Sequence, residues 1–187
     1  MKFRNPFRST PTEGPVRDAY AAIVGQARAP WFYRDLGVPD TPDARFEMVA
    51  LHAYLVMRRL SGEDEAAASF AQSLFDLMFI DMDENLREMG VGDLAVGKRI
   101  RKLAEGFYGR VASYDEALDG ADQPALVAAL ARNVHRALPT PEADVETLAD
   151  YVVAANASLA ANPAAEILSG RPIFADATGA ENMSPSP

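Results

Sequence analysis

Few residues of this chain are equipped for chemistry. Among its 187 residues there is no cysteine, which removes disulfides and thiolate metal ligands, and there are only two histidines, His52 and His135. A histidine metal site would need carboxylate help, and no HExxH-type pairing supplies it. A hydrogen-bonded core or boundary histidine is the simpler reading of His52. Two strings imitate ligand motifs. Asp81-Met82-Asp83-Glu84-Asn85 opens like a calcium loop, but Leu86 stands where glycine is required and Gly92 where a bidentate Glu is required. Gly92-Asp93-Leu94-Ala95-Val96-Gly97-Lys98 fits GxxxxGK, yet Arg99 replaces the magnesium-binding hydroxyl and a helical pattern precedes it in place of a strand. Both motifs fail at the residues that would do the chemistry. A helix start near Asp93 retains only weak anion affinity. No nucleophile–base pair stands out, so no catalytic residue, metal or cofactor is assigned.

Both strings belong to the stretch that organises the chain, Phe70 to Tyr108. Its first half places Phe75, Phe79, Met82, Leu86 and Met89 on one helical stripe. Gly90 and Gly92 supply a stop. The second half repeats the stripe at Val96, Ile100, Leu103, Phe107, Val111, Tyr114 and Leu118. Two amphipathic helices joined by a tight turn read as a helical hairpin. Asp76, Asp83 and Arg87 share a face, read as solvated with an Asp83–Arg87 pair. Gly97, Gly106 and Gly109 inside the second helix point to close approach by another backbone or a partner.

Further helices are expected over Val16–Arg28, a short segment from Pro30, Pro42 to about Leu60 with Thr41 as N-cap, Pro124 to about Arg136, and Thr140 to about Ala161. The Pro42 helix is apolar nearly all round and should be central. Trp31-Phe32-Tyr33 suits either a docking site for an apolar partner or, more commonly, a plug over the core. With no strand alternation and no repeat, the fold class is all-α, a single-domain irregular bundle of about six to seven helices. The expected organisation is a flexible leader over 1–15, a helical domain over 16–162 and a mostly loose tail over 163–187.

Net charge is −9 with pI near 4.7, which excludes a general nucleic-acid binder. Mean hydropathy is −0.11, and no apolar run approaches bilayer-spanning length. Against the acidic background, Lys98, Arg99, Arg101, Lys102 and Arg110 concentrate positive charge in one segment, opposed only by Glu105. A face balanced by its acidic neighbour helix and a face that recognises a partner or anionic lipid head groups both fit this pattern.

The block APWFYRDLGVPDTPDARFEMVALHAYLVMRRL, and more specifically LFDLMFIDMDENLREMGVGDLAVGKRIRKLAEGFYGR, resembles the ubiquinol–cytochrome c chaperone family, assembly factors of the cytochrome bc respiratory complex. The resemblance implies an α-helical protein without catalytic chemistry. It implies a client in cytochrome b or another bc-complex subunit, with peripheral contact at the inner membrane. In mitochondria the family works with a small partner protein. The short chain and the lack of an organelle-targeting leader suggest a bacterial-type member, cytoplasmic or peripheral at the cytoplasmic face. Candidate partner-binding residues are Asp81, Asp83, Arg87, Lys98, Arg99, Arg101, Lys102, Phe107, Tyr108, Arg110, Trp31 and Tyr33. The alternatives are a quinone- or haem-related small-molecule site, motivated by His52 and the Met-rich interior, and a peripheral membrane regulator. No oligomeric state is legible.

Overall fold

The central helix, α3 (Pro42–Arg59), follows directly from its sequence. Thr41 caps it by accepting from the Ala44 amide at 3.3 Å, and Pro42 takes the first turn, where its missing N–H costs nothing. Thirteen of its eighteen residues are buried, so other helices must surround it. The computed structural model describes residues 14–135 and 140–177. Residues 1–13 of the leader expected over 1–15, the helix end and break expected at Arg136–Pro139, and the stretch beyond residue 177 lie outside them; Gly14 and Pro15 of that leader belong to the first helix.

Around α3 pack α1 (Gly14–Ala27), α4 (Glu65–Glu88) and α7 (Glu142–Ala161). Next to α4 lies α5 (Asp93–Asp119), and α6 (Gln123–Asn133) bridges α5 and α7. Two five-residue helices complete the set, α2 (Pro30–Arg34) and α8 (Ala164–Leu168). All regular structure among the described residues is helical, and it forms a single all-α domain. Asp64 and Asp122 cap α4 and α6 through the Ala67 and Ala125 amides, at 2.9 and 3.0 Å.

The segment after Pro163 was expected to be mostly loose. Through Ala177 it is fastened to the body. Ile167 of α8 is fully buried. Gly170 adopts φ +91°, and a Cβ there would lie 2.8 Å from the Asp18 side chain and 2.9 Å from the Pro15 carbonyl of α1. Asn162 Oδ1 accepts from the Ile173 amide at 3.1 Å, and Ser158 donates to the Ile173 carbonyl at 3.0 Å. Phe174 packs edge-on against His52. These contacts join residues distant in sequence, so periodicity does not announce them.

His52 is fully buried at the crossing of four segments. Its Nδ1 lies 2.7 Å from the Met48 carbonyl, which can only accept, so Nδ1 carries the proton. Nε2 therefore accepts from the Tyr151 hydroxyl at 2.8 Å. Tyr151 in turn accepts from Gln26 Nε2 of α1, which also donates to the Ala175 carbonyl. Burial pushes the His52 pKa down to about 4. His135 donates from Nε2 to the Leu36 carbonyl, and burial lowers its pKa as well.

The hairpin turn between α4 and α5 is a Schellman motif. The Val91 amide donates to Leu86 and the Gly90 amide to Arg87, with Gly90 at φ +79°. Val91 lies against the core beside Leu86. Gly92 is then the N-cap of α5.

Three outcomes follow from these contacts. Replacing Gly90 by Ala forces a side chain into the left-handed region, and denaturant titration should show a loss of about 1–2 kcal/mol. His52 binds a proton more readily unfolded than folded, so its contribution is complete above about pH 6.5 and fades as pH falls toward 4. Urea midpoints should thus rise with pH across that interval, and His52→Gln should flatten the rise by up to about 3 kcal/mol. Finally, Glu47 of α3 forms a nearly fully buried ion pair with Arg110 of α5; Glu47→Ala strands that guanidinium and should cost about 3–5 kcal/mol, whereas the double change Glu47→Leu/Arg110→Met should cost less.

Candidate recognition surface

The outer face of α5 carries Leu94, Lys98, Arg101, Lys102, Glu105 and Tyr108, all exposed. Their spacing of three and four residues sets them on one side, opposite Val96, Ile100, Phe107 and Val111, which are buried. Arg99 is exposed on the flank of this face. Lys98, Arg99, Arg101 and Lys102 form no ion pair with a described residue. The reading in which the acidic neighbour helix balances this charge therefore lacks its contacts.

On α4, Asp76, Asp81 and Asp83 are occupied internally. Asp83 and Arg87 pair as the spacing suggests, and Arg87 reaches on to Asp93 across the turn. The hydrogen bond to Asp83 raises the Arg87 pKa. Asp81 accepts from the Tyr20 hydroxyl of α1 at 2.8 Å. Burial, then the Asp81 charge, raises the Tyr20 pKa far above its ordinary value. Asp76 departs from the expected solvated face, because it is buried and accepts from Gln72 at 2.7 Å. The whole run Asp81–Asn85 is helical, and so are Asp93–Lys98. Neither string forms the loop its look-alike motif requires.

Four candidate residues sit elsewhere than on an exposed face. Phe107 is 1% exposed and packs its ring against Phe75 and Phe79, so it is core. Arg110 turns inward and pairs with buried Glu47 of α3. Its guanidinium lies over Gly106, where a Cβ would stand 2.8 Å from Nη1. That explains one of the three interior glycines. Gly97 and Gly109 face open space, contrary to the expected close approach. Trp31 is half-buried against Phe32 and Tyr151, and Tyr33 donates to the Ala27 carbonyl at 2.9 Å, so both seal the core at a helix end.

A feature missed by the sequence reading is a groove of about 620 Å³ between α1 and α4. Ala21, Val24, Gly25, Leu77 and Ile80 line its apolar part, with Arg28 and Glu84 at its edges. Arg28 and Glu84 form no ion pair with a described residue. The signal was available in α1, where positions 17, 20, 21, 24, 25 and 28 form a continuous second face. A second, more polar recess of about 420 Å³ lies where α3, α5 and α7 meet. Arg58 fills it with bonds to Asp115 and Asp119, both 2.6 Å, while the Tyr54 hydroxyl donates to Asp115. Neither recess includes His52, whose two nitrogens are both committed inside the protein. His52 thus offers no free ligand to haem or quinone.

The comparisons with known proteins are consistent with one another. Residues 34–174 match the family described as ubiquinol-cytochrome C chaperone. Over 133 residues, covering 71% of this chain, the sequence is 26% identical to the Xenopus laevis ubiquinol-cytochrome-c reductase complex assembly factor 1, of which 66% is covered. The Mus musculus protein of that name is 25% identical over the same length and 45% covered. The chain thus spans less than two thirds of these relatives. The crystal structure of the Cbp3 homolog from Brucella abortus superposes with a TM-score of 0.81 at 40% identity, covering 89% of this chain and 92% of that one. Sequence and fold agree, and the chain belongs to the ubiquinol-cytochrome C chaperone family.

Proposed function

We propose that this protein is a binding chaperone, acting without turnover, that holds cytochrome b or another subunit during assembly of the ubiquinol–cytochrome c reductase complex at the inner face of the membrane. The observation that carries this reading is the family match across residues 34–174. The geometry adds a place for the client. An apolar, membrane-destined segment needs its surface covered before assembly, and an open helix–helix groove does this by accepting a third helix. The α1–α4 groove has that form. Arg17, Arg28, Asp81 and Glu84 add charge to its lining, which would help orient an amphipathic segment. Asp81 lines it and is held by the Tyr20 hydroxyl of α1, while Asp83 and Arg87 lie outside its lining and pair with each other. No helix among the described residues is long and apolar enough to cross a membrane, so any contact of these helices with the bilayer would be peripheral.

Two measurements test this reading. Deleting the gene should lower the assembled bc complex and its haem content several-fold, and normal levels of both would refute an assembly role. A photocrosslinking residue at Ile80 or Leu77 should trap a bc-complex subunit in living cells during synthesis. Its failure there, with success at the opposite end of the bundle, would move the client site away from the groove.

A further inference from the structure

At the tip of the α4–α5 hairpin, Met89 is 50% exposed and Leu94 is 95% exposed. Almost the entire leucine side chain stands in water, one residue inside α5. Core packing explains every other member of the hairpin's apolar stripe except Met89, and it does not explain Leu94. Behind Leu94 on the same face come Lys98, Arg101 and Lys102, none of them ion-paired to a described residue. Tyr108 continues the line, since Leu94, Arg101 and Tyr108 recur at seven-residue steps.

We propose that this tip and face form a docking surface for an anionic lipid bilayer, with Leu94 and Met89 entering the head-group region and Lys98, Arg101 and Lys102 lying on the phosphates. Three features favour a bilayer over an acidic protein. The apolar residues crown a convex turn, which a deformable interface accepts but a protein partner meets only with a matching pocket. The face follows the pattern of surface-lying helices, with apolar residues beside a cationic row. An aromatic residue with a polar tip at the far end suits the bilayer–water boundary. The charge distribution also fixes orientation. The protein carries net −9 and these cations are concentrated on one face, so an anionic surface favours this side of the described fold over its acidic remainder. Glu105 is the one carboxylate on the face itself. Asp93 at the tip is held by Arg87, while Glu84 and Glu88 lie on α4 on the other side of the turn. The inference refines the membrane location proposed above and leaves the α1–α4 groove free for a client.

Co-sedimentation of the full chain with vesicles tests it. Binding is expected to phosphatidylcholine vesicles containing phosphatidylglycerol and not to phosphatidylcholine alone, and it should weaken as salt rises. Leu94→Ser should weaken it about tenfold. Lys98→Glu/Arg101→Glu/Lys102→Glu should abolish it, and neither change should alter thermal stability, because these side chains are solvent-facing. Leu94→Trp should bind more tightly and shift its emission to the blue, with Trp31 as an invariant background. No binding to anionic vesicles, equal binding to neutral ones, or indifference to the Leu94 and triple changes would each overturn the proposal. If the triple variant binds vesicles normally but loses its crosslink to a bc-complex subunit, the face belongs to a protein. The client reading fails separately: there, vesicle binding persists while gene deletion leaves the bc complex intact.

Discussion

The arrangement depends on a single constraint: α3 is buried on nearly every side yet carries polar groups that cannot be left unpaired. Glu47, His52 and Tyr54 are buried outright, and Arg58 places its polar end at a partly exposed recess. Each requires a partner from a particular helix. Glu47 takes Arg110 of α5, Tyr54 takes Asp115 of α5, His52 takes Tyr151 of α7, and Arg58 takes Asp115, Asp119 and Asn156. Apolar burial supplies the driving force but is tolerant of rotation and sliding. The polar pairs are not. A shift of one turn in α5 or α7 would leave a charge or a hydroxyl buried without a bond, at a cost of several kcal/mol. The interior therefore fixes the register of both helices.

That register decides what faces outward. Because Phe107 is drawn in against Phe75 and Phe79 of α4 and Arg110 against Glu47 of α3, the opposite side of α5 presents Leu94, Lys98, Arg101 and Tyr108 together. Arg110 shows how the interior edits the surface. By chain position it belongs to a cluster of five cations, but only four remain exposed. Gly106 makes the inward turn possible, since any larger residue would meet the guanidinium.

Much of this was legible in the sequence, and the reasons separate cleanly. The hairpin, the central helix and the Thr41 cap rest on local patterns, and local patterns survive folding. Phe107 was legible too, because it lies on the apolar stripe of α5. Its candidacy as a surface residue conflicted with its own spacing. Arg110 was not legible, because a long side chain at the border of a stripe turns inward or outward according to a partner 63 residues away. In the tail, docking of Ile173 and Phe174 was legible, but the anchoring by Asn162 and the close approach of Gly170 to α1 were not, because they depend on where other segments lie. One wall of the α1–α4 groove was legible in the second face of α1, but the groove itself needs the placement of α1 against α4.

Exposed Leu94 and buried Glu47 are both departures from the simple rule of apolar residues inside and charged residues outside. They differ in what resolves them. Glu47 finds Arg110 within the fold, and the departure is thereby accounted for in structural terms. Leu94 finds nothing within the described fold, and it sits beside cations that also lack ion-pair partners there. Departures of the second kind are where a sequence serves something other than its own stability. The most exposed of them among the described residues, Leu94, stands at the tip of the hairpin beside those cations, where a change of residue costs the core little.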